Sequence, residues 1–160
     1  MGYDFRENDK EGTEMLFGEF HHSIDAKNRV SVPAKLRDEL GAEFMVSRSL
    51  RGDCLRFFSL PAWEEYLRPL KDLPRALSEK TFWLLYHDAA KVSPDSLGRV
   101  LLSKGLLDFA KIEPDAKGER NVVIVGCGDF GEIWSEELYN KHVQEMDIDE
   151  IRRALEESGL

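Results

Sequence analysis

The chain has 160 residues, of which 42% are hydrophobic and 33% are charged, and its formal net charge is −9. This length fits one domain, or two small units that share a core. No apolar run reaches the length of a membrane span, and the first residues lack the basic and apolar regions of a signal peptide. Cys54 and Cys127 lie outside any CxxC pattern. This cysteine usage predicts a reducing cytoplasm, with a disulfide as the less favoured alternative.

The negative charge is concentrated at the two ends of the chain. Residues 1–14 contain five acids and two bases, and residues 135–160 contain eight acids and three bases. In contrast, residues 26–56 contain seven bases and four acids. Because local charge matters more than total charge for binding a polyanion, the value of −9 does not exclude a nucleic-acid partner. For any single lysine or arginine, a solvated surface charge remains the alternative.

Residues 1–14 are polar and acidic, which predicts a flexible extension. After them, apolar alternation and turn residues predict a strand, a turn, a short strand, a helix stopped by glycine, and two more strands. In chain order, these segments are 16–24, 25–28, 29–32, 34–40, 44–46 and 55–58. Two linking helices follow, one starting near Ser59 and one over 78–90.

The same order of elements is then predicted again, followed by a helix with its cap at Ser135 and a terminal helix. These segments are 90–93, 95–98, 99–102, 103–109, 121–125, 132–134, and 147–157 for the terminal helix. Asp25, Arg29 and Val30 align with residues seventy positions later, which are Asp95, Arg99 and Val100. Each copy is too small to bury much core alone, so two copies must share one, within the chain or across a dimer. Short strands joined by turns predict a small barrel.

This repeat predicts five segments along the chain. They are a flexible N-terminal extension (1–14), a first repeat (15–61), linking helices (62–89), a second repeat (90–137) and a C-terminal helical tail (138–160). The aromatic residues of the helices are predicted to be mostly core, with some at a contact between protomers. They are Trp63, Tyr66, Phe82, Trp83 and Tyr86.

The acid and the arginine four residues apart point to a binding function. A carboxylate that opens a turn can accept backbone N–H bonds and hold the fork of the arginine. The arginine would then project toward a guanine edge or a phosphate. From spacing alone, a local ion pair that serves only the fold is the favoured alternative. Three further bases, Arg48, Arg51 and Arg56, lie on another hairpin and are predicted to be surface residues or interface pairs.

The sequence shows no enzyme pattern. His21 and His22 are adjacent on a strand and face opposite sides, so they do not form a metal site. No serine or cysteine lies in a nucleophile motif, and the glycines of 126–131 lead into a strand rather than a helix, as in a hairpin turn. We therefore predict no catalysis, no metal and no cofactor.

The motifs together resemble one known family over residues 15–145. They are Gly18-Glu-Phe20, Asp25-x-x-x-Arg29 with Val-Ser-Val-Pro33, Asp95-x-x-Gly98-Arg99, Pro61-x-Trp63 and Glu132-Ile-Trp134. The chain resembles MraZ regulators, which contain two AbrB/SpoVT-type repeats. This resemblance implies an α+β, β-rich fold, a pseudo-duplicated swapped-hairpin (AbrB-like) β-barrel with flanking and linking helices.

The resemblance also implies a function. It implies a sequence-specific DNA-binding transcriptional regulator that assembles into a homo-oligomeric ring and binds direct repeats upstream of the division and cell-wall gene cluster. The expected partners are double-stranded DNA and further copies of the chain, with no membrane, no small-molecule substrate and a cytoplasmic, nucleoid-associated location. The alternative is an oligomeric protein-interaction module without direct DNA readout, which the net charge of −9 favours.

The resemblance assigns DNA contacts to five bases and a supporting role to five other residues. The bases are Arg29, Lys27, Arg37, Lys35 and Arg99, and the supporting residues are Asp25, Asn28, Pro33, Asp95 and Gly98. Asn28 stands where the family usually has glycine, and asparagine can adopt the same positive φ. The second copy is less basic, because Gly105 and Leu107 occupy the positions of Lys35 and Arg37, and Ser103 that of Pro33. We therefore expect it to be the weaker DNA surface.

Overall fold

The computed structural model describes residues 15–160, so the extension predicted over 1–14 lies outside the described residues. The strands are β1 Leu16–Ile24, β2 Arg29–Ser31, β3 Phe44–Arg48, β4 Leu55–Ser59, β5 Ala90–Val92, β6 Arg99–Leu101, β7 Arg120–Gly128 and β8 Gly131–Ser135. The helices are α1 Ala34–Leu40, α2 Leu60–Leu67, a 3-10 helix Arg68–Asp72, α3 Arg75–Tyr86, α4 Lys104–Phe109, α5 Glu136–Glu145 and α6 Ile148–Glu157.

Local signals account for most of these boundaries. The hydroxyls of Ser59, Ser103 and Ser135 each accept the backbone N–H three residues later, at 3.2–3.3 Å, and so cap α2, α4 and α5 as predicted. Gly41 ends α1 with a φ of +88°. The helix predicted over 78–90 is shifted in the structure, because Pro74 precedes the first turn of α3 and the helix ends at Tyr86.

Strands from the two halves are interleaved in one antiparallel sheet. Its order is β1-β7-β8-β4-β3-β5, and β2 and β6 form a separate two-stranded ribbon. The first strand of each half therefore pairs with the third strand of the other half, and β4 pairs with β8 in the centre. The prediction of an α+β, β-rich fold is confirmed.

The prediction of a closed barrel is wrong. Among the described strands, β1 and β5 each pair on one side only and end the six-stranded sheet. The two strands that could have bridged these edges, β2 and β6, pair with each other instead. The sheet consequently stays open, with the ribbon as a second layer.

Both halves contribute matching residues to one hydrophobic core. Val30 and Val100 from the ribbon are buried, as are Leu36 and Leu106 from α1 and α4. They pack in the same cluster as the inner residues of the sheet, such as Ile124. Because corresponding residues of the two halves meet there, the halves share a core within the chain.

A second cluster lies under α2 and α3. Trp63 is buried in it, and Tyr66 and Phe82 pack against it, as predicted for the helical aromatics. Trp83 and Tyr86, however, are 67% and 52% exposed. These two side chains leave an apolar patch on the outer side of α3.

Two sequence predictions concern the cysteines and the absence of a membrane span. Both cysteines are free, with Cys54 buried and Cys127 exposed. Burial raises the pKa of the Cys54 thiol to about 12. Over residues 15–160, every helix is too short or too polar to cross a bilayer.

Candidate nucleic-acid interface

The predicted acid–arginine pair forms a closed turn between β1 and β2, here called turn 1 (residues 25–29). One carboxylate oxygen of Asp25 accepts the backbone N–H groups of Lys27 and Arg29 at 2.9 and 2.8 Å. The other accepts Nε of Arg29 at 2.8 Å. Asn28 has a φ of +62°, the left-handed conformation expected from the sequence. The carboxylate thus fixes both the backbone of the turn and the guanidinium group.

The same turn joins β5 to β6 and is here called turn 2 (residues 95–99). Asp95 accepts the backbone N–H groups of Leu97 and Arg99 at 3.0 and 2.9 Å, and Nε of Arg99 at 2.9 Å. Gly98 has a φ of +80°. The two turns therefore share their carboxylate bonds, their positive φ and the side-chain pair.

A third turn with this backbone, which the sequence analysis missed, precedes β7 and is here called turn 3 (residues 115–119). Asp115 accepts the backbone N–H groups of Lys117 and Glu119 at 2.8 and 2.9 Å, and Gly118 has a φ of +79°. Glu119 stands where turns 1 and 2 have arginine. The turn therefore forms without an arginine, so its presence in turns 1 and 2 needs a reason other than the shape of the backbone.

The ribbon of β2 and β6 places the two arginines on one face. Its ends are closed by N–H bonds from Val32 to the Gly98 carbonyl and from Leu102 to the Asn28 carbonyl, so turns 1 and 2 lie at opposite ends. The register pairs are Arg29 with Leu101, Val30 with Val100 and Ser31 with Arg99. Because both valines face the core, the other four side chains lie on the outer face.

Arg29 and Arg99 are diagonal neighbours on that outer face. Cβ atoms in this relation are about 7–8 Å apart. Their side chains are 29% and 28% exposed, which is enough for an outside group to reach them. Within the described residues, each guanidinium donates to its aspartate through Nε alone. The terminal Nη groups therefore keep their N–H donors for another acceptor.

The turn carboxylates have lowered pKa values. Backbone N–H donation from Arg29 contributes most to lowering the pKa of Asp25, followed by the guanidinium bond. The pKa of Asp95 is lowered in the same way by the backbone of Arg99. Both carboxylates therefore stay ionised at neutral pH and keep their arginines in place.

We expect this ionisation to appear in the pH dependence of unfolding. A carboxyl with a lowered folded-state pKa contributes its full stabilisation above the ordinary aspartate pKa of about 3.9 and loses it as pH falls through the lowered value. The difference in unfolding temperature between the parent and Asp25→Asn should thus be present at neutral pH and shrink in acid. Thermal unfolding at several pH values measures this difference. Asp72→Asn, on the exposed 3-10 helix, is the control. A difference that stays constant into acid would contradict this role.

The other predicted bases are placed differently. Lys27 is exposed on turn 1, close to Arg29. The Lys35 ammonium lies 4.0 Å above the ring of Phe17, near the opposite end of β1, so the structure does not bring it to turn 1.

Arg37 reaches turn 2 rather than turn 1. Its Nε donates to the carbonyl of Val32 at 2.9 Å, and a Cβ added to Gly98 would lie 2.7 Å from its Cζ atom. The glycine thus makes room for a guanidinium that crosses from the first half. Pro33, before the first turn of α1, has a φ of −53° and stops β2 as predicted.

Two residues of this surface were missed by sequence reasoning. Arg120, the first residue of β7, donates to the side-chain oxygen of Asn28 at 2.8 Å and to the carbonyl of Asp25. Leu101 is 63% exposed on the outer face of the ribbon. The Arg120 contact joins residues 92 positions apart, and no local pattern predicts it.

The bases of the other hairpin form ion pairs. Arg48 binds Asp88 at 2.9 Å, and Arg56 lies 3.5 Å from Glu132 and 3.9 Å from the centre of the Phe130 ring. The sequence predicts surface residues or interface pairs at these positions, and in the structure Arg48 and Arg56 form part-buried ion pairs within the chain.

The sequence of the chain matches known proteins. The family model described as "MraZ protein, putative antitoxin-like" matches the chain twice, over residues 15–83 and 85–158. A "Transcriptional regulator MraZ" of Carboxydothermus hydrogenoformans is 38% identical over 130 residues, which are 80% of this chain and 86% of that protein. Proteins of the same name from a Thermoanaerobacter species and Clostridium beijerinckii are 35% and 34% identical over 91% of this chain and their whole lengths. The chain therefore belongs to the MraZ family.

Proposed function

We propose that the chain is a sequence-specific DNA-binding transcriptional regulator. The observation that carries this proposal is the pair Arg29 and Arg99 on the outer face of the ribbon, each held by an aspartate through Nε. A guanidinium held in this way presents its terminal N–H groups to the O6 and N7 acceptors of guanine, the commonest specific contact of arginine in DNA. The names of the relatives support a role in transcription.

The shape of the surface favours duplex DNA over an acidic protein. A two-stranded ribbon fits the major groove, which is about 12 Å wide. Between Asp25 and Arg37 the chain has four bases and one acid, whereas residues 135–160 are acidic. A local positive surface on an acidic chain orients the ribbon toward the polyanion. Lys27 and Arg37 would bind phosphates and fix the register, and Lys35 would bind them farther from the ribbon.

The backbones of β2 and β6, with turns 1 and 2, are related by an approximate two-fold axis, but the side chains of the two strands differ. Leu97 takes the place of Lys27, and Leu101 takes that of Ser31. A surface with identical halves would match a palindromic site, as symmetric dimers do. These differences instead favour a site without internal symmetry. They support the proposal that the protein reads direct repeats, located upstream of the division and cell-wall gene cluster.

We further propose that copies of the chain form a ring on the nucleoid. One ribbon buries little DNA surface, and tethered copies raise the effective concentration when their spacing matches the repeats. Exposed apolar side chains on α3 and α6 offer surfaces for contacts between copies, among them Trp83 and Ile148. The exchange of strands between halves supports a swapped-hairpin origin of the fold, with repeats over 15–61 and 90–137 joined by 62–89 and followed by the tail 138–160.

A salt titration tests DNA binding. We expect the protein to bind DNA from upstream of its own gene more tightly than the same DNA with its repeats shuffled, as read by fluorescence anisotropy. If four bases of a copy each neutralise one phosphate, affinity should fall about 100-fold between about 50 and 200 mM salt. Equal, weak binding of both DNAs would contradict the proposal and favour the protein-interaction module. Native mass measurement with and without DNA gives the number of copies.

A further inference from the structure

Leu101 is an apolar side chain in the middle of a polar surface. It is 63% exposed and lies directly opposite Arg29 on the ribbon. The corresponding position of the other strand is Ser31, a small polar residue. Single exposed leucines are common on protein surfaces. This one differs in that it is next to both arginines that carry the proposed function, opposite Arg29 and two residues from Arg99.

The spacing places Leu101 within reach of the bases that these arginines would read. Directly opposite residues have Cβ atoms about 5 Å apart, so Leu101 is that close to Arg29. Arg99 is two residues earlier on the same face of β6, about 7 Å away. Successive base pairs are about 3.4 Å apart. A leucine at this place would therefore face a base pair one or two steps from a guanine bound by either arginine.

In the major groove, one base has an apolar group. Thymine carries a 5-methyl group, whereas the other bases offer hydrogen-bond donors and acceptors at their groove edges. The Leu101 side chain has no donor or acceptor, so it gains contact only with that methyl group. Any other base there would leave polar edge atoms facing a hydrocarbon.

We propose that Leu101 recognises the methyl group of a thymine next to a guanine bound by Arg29 or Arg99. This inference rests on the proposed DNA-binding function and adds a base that the arginines do not read. Ser31, on the other side of the ribbon axis, has a hydroxyl and no comparable apolar surface. Leu101 thus gives the two sides of the ribbon different base preferences.

Replacing thymine by uracil tests the proposal, because uracil lacks only the methyl group. Each thymine of the upstream DNA is replaced in turn by uracil, and binding is measured by anisotropy at fixed salt. We expect one replacement per repeat to weaken binding by the parent about fourfold, the value of one buried methyl group. The variant Leu101→Ser should bind the thymine and uracil DNAs equally. Leu160→Ser, the same change at an 87% exposed leucine beyond the end of α6, should retain the parent's discrimination.

Other results of the uracil experiment would contradict the assignment of Leu101 in different ways. Parent binding that no uracil replacement weakens would overturn the proposal, and so would a uracil effect that persists in Leu101→Ser. A change in assembly mass in that variant with an unchanged uracil response would make Leu101 a contact between copies. Thermal unfolding of both variants should match the parent, because neither leucine is buried. Failure of the proposed function itself is distinct, since the parent would then not prefer unmodified upstream DNA over shuffled DNA.

Discussion

Arg29→Ala should lose sequence-specific DNA binding and keep its fold. A bidentate contact between arginine and guanine contributes about 1–3 kcal/mol to discrimination. Every copy of the chain bound to the DNA loses this contact. A small loss of discrimination per copy should therefore remove any detectable preference of the assembly for upstream over shuffled DNA. Anisotropy titration of both DNAs measures the preference, and circular dichroism with native mass measures fold and assembly.

The fold should survive because the turn does not need its arginine. In turn 3, Asp115 bonds the backbone N–H groups of Lys117 and Glu119 with no arginine present. Arg51→Ala is the matched control, since it removes an exposed base from another hairpin and should leave specificity intact. Arg29→Ala protein that still prefers the upstream DNA as strongly as the parent would show that the assignment of Arg29 is wrong.

Sequence reasoning predicted turns 1 and 2 and the serine-capped helix starts because their causes are local. Asp25 and its turn backbone lie within five residues, and the serine caps bond an N–H three residues away. Asn28 was expected to adopt a positive φ because its side chain permits it. The inward valines of the ribbon followed from simple alternation. Such features need no knowledge of the rest of the fold.

The arrangement of the site depended on contacts between the halves, which local patterns do not contain. Nothing near Arg29 in sequence indicates that β2 would pair with β6 and bring Arg99 onto the same face. The hydrogen bonds from Arg120 to turn 1 and the approach of Arg37 to Gly98 of turn 2 have the same origin. Turn 3 has Glu119 where turns 1 and 2 have arginine, so the acid–arginine pattern does not include it. Its spacing, an aspartate followed three residues later by glycine, would have found it.

The pairing of halves also explains why the ribbon is a suitable platform. Its inner valines, Val30 and Val100, are buried in the shared core, which fixes the plane from which the arginines project. A binding group on a rigid element loses little conformational freedom when it meets its ligand. Turn 1 is further held by the hydrogen bonds that Arg120 donates to it. Damage to the joint between the halves should therefore affect the whole molecule.

Gly131→Ala should destabilise the protein at that joint. Gly131 of β8 lies directly opposite Phe57 of β4, where the two halves meet in the sheet. A Cβ at this position would be 2.0 Å from Cζ of Phe57. The ring cannot move aside, because it is buried and packs against Phe44 with ring centres 6.3 Å apart. We expect a loss of about 1–3 kcal/mol in the free energy of unfolding, the usual range for overpacking.

Denaturant unfolding measures this loss, and a second substitution tests its cause. Phe57→Leu alone should destabilise by opening space, but added to Gly131→Ala it should cost less than the sum of the two single changes. Gly52→Ala is the control, because its Cβ would meet Trp134 at an ordinary distance of 3.6 Å. If the two changes at the joint were additive, the clash with the Phe57 ring would not be the reason for the instability. A double variant that costs less than the sum would show that position 131 requires glycine because the Phe57 ring fills the space of a Cβ.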